Sequence, residues 1–177
     1  MGDVREVLTS WTAPDHAQDQ LRQDFLSLAM AESDAALRQC APDHITASTL
    51  VFSADRSHVA LLFHPKFDRW LQMGGHCEPD DMCLSDAALR EALEETGLNS
   101  VELDPVPVLL SQHRVKCWPE GHHLDVQFMA RAEPGATLTC SDESTDLRWF
   151  ALDEVRLVSD DSVNSLLAAA LSRIDQV

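Results

Sequence analysis

The chain has 177 residues, 45% of them hydrophobic and 24% charged, which is enough for one compact domain with a real core and short for two. Its 30 acids against 13 lysines and arginines leave a formal charge of -17, arguing against a nucleic-acid polymer as partner, because binding a polyanion needs a basic surface. A small anionic substrate stays compatible where a divalent cation held by carboxylates reverses the sign locally.

In chain order, Asp3 to Trp11 reads as a short helix. Pro14 to about Arg38 reads as a longer one, with Leu21, Phe25, Leu28 and Ala29 on one stripe and Pro42 as its stop. Together they form a helical extension over residues 1–42 ahead of a main domain over 43–177. The apolar stripe needs a cover, either the main domain or a second copy of the chain in a homodimer. From Ile45, "ITASTLVFS" and "HVALLFH" read as strands of a hairpin around "ADRS". After "RWLQM" the glycine pair Gly74-Gly75 opens a loop that leads into a helix. "VPVLLSQHRVKCW" and "HLDVQFMARA" read as further strands. In the second, Leu124, Val126, Phe128 and Ala130 alternate with Asp125, Gln127 and Met129, so one face is buried. "EPGA" and "SDEST" are loops, "LRWF" is a short strand, "LDEV" starts a short helix, and Ser162 to Ile174 is a terminal amphipathic helix. Strands interleaved with helices in this way predict an α/β sandwich around a mixed sheet.

The helix after the glycine loop carries the strongest chemical signal. Ser85 is a suitable N-cap, Asp86 suits the first turn, and Gly97 stands where a left-handed cap is wanted, so the helix is predicted over Asp86 to Thr96. At about 100° per residue, Leu89, Ala92, Leu93 and Thr96 share one face, while Glu91, Glu94 and Glu95 fit an arc of about 100° on the other. Glu91 and Glu95 repel across one turn, and Glu94 and Glu95 sit at the end where the helix dipole disfavours negative charge. Such a face is either a solvated surface or a platform of oxygen ligands for a hard cation such as Mg2+ or Mn2+.

Arg90-Glu91-Ala92-Leu93-Glu94-Glu95-Thr96-Gly97-Leu98 resembles the second half of the Nudix box, whose pattern is Arg-Glu, an apolar residue, any residue, Glu-Glu, any residue, Gly and an apolar residue. The first half of that pattern is Gly, five residues, Glu and seven residues. It fits "GGHCEPDD" with one extra residue in the loop, which makes Gly75 the glycine and Asp81 the stand-in for the glutamate. The resemblance implies a Nudix-like α/β/α sandwich with the helical extension at its amino terminus. It further implies a pyrophosphohydrolase dependent on Mg2+ or Mn2+, with a nucleotide or nucleoside diphosphate derivative as its small phosphorylated substrate. Glu91, Glu94 and Glu95 would bind metal, Arg90 would hold the helix to its loop beside Asp81, and Gly75 and Gly97 would permit tight turns. Glu143, in "SDESTDLRWF", looks like the distant acid that many Nudix enzymes use as base or metal ligand; an exposed loop acid is the other reading. A non-catalytic nucleotide-binding module on the same fold is the competing function. The isomerase branch of the fold fits less, because its catalytic-cysteine motif has no counterpart around residues 45 to 70.

Lys66, Arg69, Arg114 and Lys116 concentrate positive charge in an acidic chain and are candidate phosphate contacts, or solvated strand ends. Trp70 or Phe67 is a candidate to stack on a base, or a core aromatic. His122, His123 and Asp125 either reach the cleft or close a turn. The five cysteines, Cys40, Cys77, Cys83, Cys117 and Cys140, contain no CxxC pair and read as reduced thiols, so the expected location is cytoplasmic. A zinc site drawn from Cys77, Cys83, Cys117, His76 and His122-His123 matches no familiar spacing. "MGDVREVLTSW" lacks the features of a signal peptide or a myristoylation site, and no stretch is apolar and long enough to span a membrane, so no membrane partner is expected.

Overall fold

A computed structural model describes residues 4–37, 42–65, 68–114, 120–140 and 145–176. Two helices, α1 (Val4–Ser10) and α2 (His16–Ala31), precede the strands β1 (His44–Phe52), β2 (His58–His64), β3 (Arg69–Leu71) and β4 (Met73–His76). Then come α3 (Leu84–Thr96), β5 (Val101–Arg114), β6 (His122–Ala132), β7 (Asp146–Ala151), α4 (Val155–Val158) and α5 (Asp161–Ile174).

The seven strands among the described residues join one mixed sheet. Strand β1 runs parallel to β6 along its whole length, from His44 opposite His123 to Phe52 opposite Arg131, and β6 pairs antiparallel with β5. The expected β1–β2 hairpin is present but pairs only at its closed end, Val51 with Ala60 and Phe52 with Val59. Beyond that the two strands diverge. Strand β4 pairs with β1 from Thr46 to Thr49, and β3 pairs with β2 from Leu62 to His64, so the β3–β4 ribbon wedges into the opening. The glycine pair expected in a loop therefore lies within the sheet. On the far side β7 pairs with β2.

Every residue of β1 is buried, as befits a central strand. Its odd-numbered residues Ile45 and Ala47 pack with Leu124, Val126 and Phe128 of β6 against α1, α2 and α3. Its even-numbered Leu50 and Phe52 pack against α4 and α5. Helices thus cover both faces, an α/β/α sandwich. The alternation read in β6 gives sidedness, but both of its faces are buried: Asp125 is 4% exposed and Gln127 fully buried.

The stripe on α2 is covered within the chain. Phe25 and Ala29 are buried, and Leu21 and Leu28 pack against the same core as Leu8 and Trp11. Trp11 Nε1 donates to Pro107 O at 2.7 Å, and Gln18 brackets Leu110 by accepting from its N–H at 2.8 Å and donating to its carbonyl at 3.0 Å. The helix is shorter than expected. Asp15 caps its start by accepting from Gln18 N, and it ends at Ala31 because the following turn brings Ala35 O to Ile45 N at 2.7 Å, tying the connection to β1. Strand β5 begins five residues earlier than the sequence pattern suggested, at Val101, and its register shift between Asp104 and Leu109 accommodates Pro105 and Pro107. No helix among the described residues is long and apolar enough to cross a membrane.

Candidate functional site

Helix α3 starts at Leu84, earlier than the expected Asp86, and its N-cap is Cys83 rather than Ser85. The cause is packing: Leu84 is fully buried and pulls the first turn into the core, while Met82 next to it stays 73% exposed. The helix ends as expected on Gly97, whose φ of 65° is left-handed and whose N–H meets Leu93 O at 2.9 Å. A side chain there would also strike Thr139, whose Cβ lies 2.7 Å from the added carbon.

The buried face of α3 is a strip of small residues, Ala87, Ala88, Ala92 and Thr96, with Leu84. Leu89 and Leu93, expected on that face, are only half-buried at its margin. Small side chains let the helix settle close to the sheet, and Thr49 Oγ1 donates to Ala88 O at 3.0 Å. Glu91 and Glu95 flank this strip and turn toward β4, and Glu94 faces solvent with 61% of its side chain exposed.

Gly75 owes its identity to this approach rather than to a turn. A Cβ on it would fall 2.6 Å from Glu91 Oε1. Beside it, Gly74 N donates to Glu95 Oε2 at 2.8 Å. The glycines remove the side chains that would hold the glutamates off the strand.

Arg90 organises the rest. Its Nε donates to Asp81 Oδ1 at 3.1 Å and its Nη2 to Asp81 Oδ2 at 3.0 Å, a two-point grip. Nη2 also donates to His76 O at 2.9 Å, and Nη1 to Glu91 Oε1 at 2.9 Å and Glu94 Oε2 at 3.2 Å. All the guanidinium N–H groups thus have acceptors. Asp81 additionally accepts from Glu78 N at 2.7 Å, closing its loop. Burial pushes the Asp81 carboxyl up, but the hydrogen bonds from Arg90 and Glu78 N and the charge of Arg90 outweigh it and hold it below the usual range. The same grip by Asp81, reinforced by Glu91, raises Arg90 further above its already high value.

The opposite face of the sheet carries a polar floor. Asp125 accepts from Thr46 Oγ1 at 3.0 Å, Ser48 Oγ at 2.6 Å and Gln127 Nε2 at 3.1 Å, and Gln72 Nε2 reaches Ser48 Oγ at 3.3 Å. His122 and His123 belong to β6 rather than to a turn; His122 N donates to Asp43 Oδ1 at 2.8 Å. At the end of the floor His44, His76 and His123 bring ligand atoms within 4.8 Å of one another. In the sequence His76 and His123 are zinc candidates alongside cysteines. The structure supplies His44 instead, while Cys77 lies buried on the other face and Cys83 sits beside Ser85. Nothing local in the sequence marks His44, because only sheet register brings it beside the other two.

The remaining candidates do not gather in one place. Arg114 is exposed at the end of β5, opposite His122. Arg69 lies 3.5 Å from Asp160 at the start of α5, and Trp70 packs edge-on against Phe63 and Phe150 under Arg148. Lys66, Phe67, Lys116, Cys40, Cys117 and Glu143 lie outside the described residues.

The profile of the NUDIX domain family matches residues 42–169. Among solved structures, a NUDIX-family hydrolase from Clostridium perfringens is 23% identical, with a TM-score of 0.61 over 74% of this chain and 97% of that one. A C. elegans Ap4A hydrolase in a binary complex is 16% identical, with a TM-score of 0.66 over 75% and 98%. The NUDIX domain of Shewanella oneidensis NrtR, complexed with ADP ribose, is 18% identical, with a TM-score of 0.58 over 82% and 97%. The family match spans the sheet, the Arg90 hub and the glutamate-bearing helix, and the chain belongs to the Nudix family of hydrolases.

Proposed function

We propose that the protein hydrolyses the pyrophosphate linkage of a nucleotide or nucleoside diphosphate derivative, using Mg2+ or Mn2+ held by Glu91, Glu94 and Glu95. The observation that carries this reading is the Arg90 hub, which fixes Glu91 and Glu94 beside the Asp81 loop while Gly74 N fixes Glu95. The donor set suits a hard cation: all three groups offer carboxylate oxygens, and Glu94 opens to solvent, where a phosphate oxygen arrives. When bound, such a cation neutralises charge on the pyrophosphate oxygens and acidifies a water molecule.

The chain's own residues do the positioning and move the proton. Arg90, with its donors already occupied, orients Glu91 and Glu94 and does not clamp phosphate. Glu95, or Glu143 from its loop, accepts the proton of the attacking water. Arg114 and Lys66 are the proposed phosphate contacts, and Trp70 is the proposed platform for a base, which stacks there only if Arg148 swings off the ring it covers. Arg69, engaged with Asp160, has the smallest part in binding. The helical segment 1–42 serves as an extension that buttresses β5 of the 43–177 catalytic domain.

The test is a panel of ADP-ribose, dinucleoside polyphosphates, nucleotide sugars and nucleoside triphosphates, assayed with Mg2+ and with Mn2+ for phosphate-containing products. Glu94→Gln and Glu95→Gln should each lower turnover by about 10²-fold or more, in the range of losing one group that stabilises transition-state charge. A non-catalytic binding module would show no turnover at all, and its ligand affinity would be unchanged by either substitution.

A further inference from the structure

Strand β4 separates two different ligand sets. Gly75 presents its α-carbon to the glutamates of α3, and His76, the next residue, projects to the opposite face, toward the side of the sheet that carries Thr46, Ser48 and Asp125. There His44 of β1 lies opposite His123 of β6, and His76 reaches them from the other side of β1. The rings pack closely: His44 stacks on His76 at 5.0 Å between centroids, and His123 stands edge-on to both, at 4.5 Å from His44 and 5.0 Å from His76. One ligand nitrogen from each lies within 4.8 Å of the others.

We infer that His44, His76 and His123 form a second metal site, separate from the carboxylate platform and selective for a borderline divalent transition ion, Zn2+ foremost. Imidazole nitrogen is a preferred donor for Zn2+ and a poor one for Mg2+, so the two sets sort cations by chemistry. In a tetrahedral site with Zn–N of about 2.0–2.1 Å, ligand nitrogens lie about 3.3 Å apart. Rotation of three rings about their side-chain torsions closes the distance that remains. The ligands come from three hydrogen-bonded strands, so the backbone framework is set before metal arrives. His113 of β5 edges His123 at 5.3 Å and extends the row outward.

Three protein ligands leave a fourth coordination position for water or an anionic ligand. The ion would clasp β4 to β1 and β6 at the strand end where His76 O receives Arg90 Nη2. It would thereby stiffen the segment that also anchors the guanidinium hub.

The experiment uses coordination rather than turnover as its readout, so it stands or falls independently of the hydrolase reading. The full-length protein is stripped with chelator, titrated with Co2+ as a spectroscopic substitute, and loaded with Zn2+ for X-ray absorption. The expected result is one Zn2+ per chain bound to three imidazoles, and intense visible Co2+ bands of a four-coordinate nitrogen site. His76→Gln and His123→Gln should weaken Co2+ binding at least tenfold and remove those bands, and Glu95→Gln should leave them in place. Thermal unfolding of each variant checks that it folds; Zn2+ should raise Tm in the unsubstituted protein and not in His76→Gln. The inference is overturned by a Zn2+ absorption spectrum with oxygen ligands only in the unsubstituted protein, a measurement that needs no variant to fold. It is equally overturned by Co2+ bands that survive in both folded histidine variants.

Discussion

Arg90 and Asp81 meet along two parallel hydrogen bonds, 3.1 Å and 3.0 Å long, although one belongs to a helix and the other to the loop before it. Asp81 is 7% exposed, so removing either partner while the loop stays in place would leave the other charge poorly solvated and unpaired. Asp81 thus ties the helix to the loop, accepting from Arg90 of the helix at two points and from Glu78 N of its own loop.

Asp81→Asn should keep the volume and lose the charge. We expect a 10- to 100-fold fall in turnover, roughly the cost of removing a group that orients metal ligands. Arg90→Lys should do as much harm despite retaining its charge, since an ammonium cannot grip Asp81 at two points while holding Glu91 and His76 O. Steady-state kinetics on both proteins with a hydrolysed substrate test the pair.

The same pair sets an acid limit. Because the carboxyl of folded Asp81 titrates below its unfolded value of about 3.9, the unfolded chain binds more protons between the two values. Its contribution is complete above that unfolded value and is lost as pH falls through the folded one. The stability gap between the natural protein and Asp81→Asn should therefore be constant from neutral pH down to about 5 and shrink below about 4. Urea unfolding across that range measures it; a gap that widens on acidification would contradict the assignment.

Gly75→Ala places a methyl carbon 2.6 Å from Glu91 Oε1. That carboxylate must swing away, and with it one of Arg90's acceptors. The expected outcome is a loss of turnover of about tenfold or more with a modest stability change, about 1–3 kcal/mol. Activity assays set beside thermal unfolding separate the two effects.

Phe25 is fully buried between α2 and the sheet. Truncation to alanine should cost about 3–5 kcal/mol, the usual range for a core phenylalanine. If the extension folded apart from the domain, the main unfolding transition would not move.

Cys77 is buried, and burial pushes its thiol up to about 12, with the charge of Asp81 adding to the effect. At pH 8 it should resist alkylation until the protein unfolds, whereas exposed Cys140 should react at once. Peptide mapping after a timed iodoacetamide pulse reads both.

What could be read from the sequence follows how local each feature is. The second half of the box was legible because Arg90 to Leu98 lies on one helix and its cap, where spacing alone fixes geometry. Asp81 was legible by counting along a loop. The glycine pair reads as a loop because glycine disfavours strands in isolation; its place is set by pairing with β1, and Glu91 fills the space a side chain on Gly75 would take. Ser85 lost the cap to Cys83 because burial of Leu84 outweighs a hydroxyl's preference. His44, His76 and His123 were not legible as a set, since each is a single residue at the edge of a different strand and register alone joins them.

The parallel union of β1 with β6 joins residues 79 positions apart, such as Thr46 and Asp125. A growing chain that has already made α3 still lacks the neighbour on which its central strand depends. Loop closure on that scale is slow compared with helix formation. The box helix and the β1–β4 pairing it packs on can therefore form early, while the other side of β1 stays open until β6 has been delivered. A nascent or truncated chain ending before residue 122 would thus carry the complete motif on a central strand that has one edge unpaired.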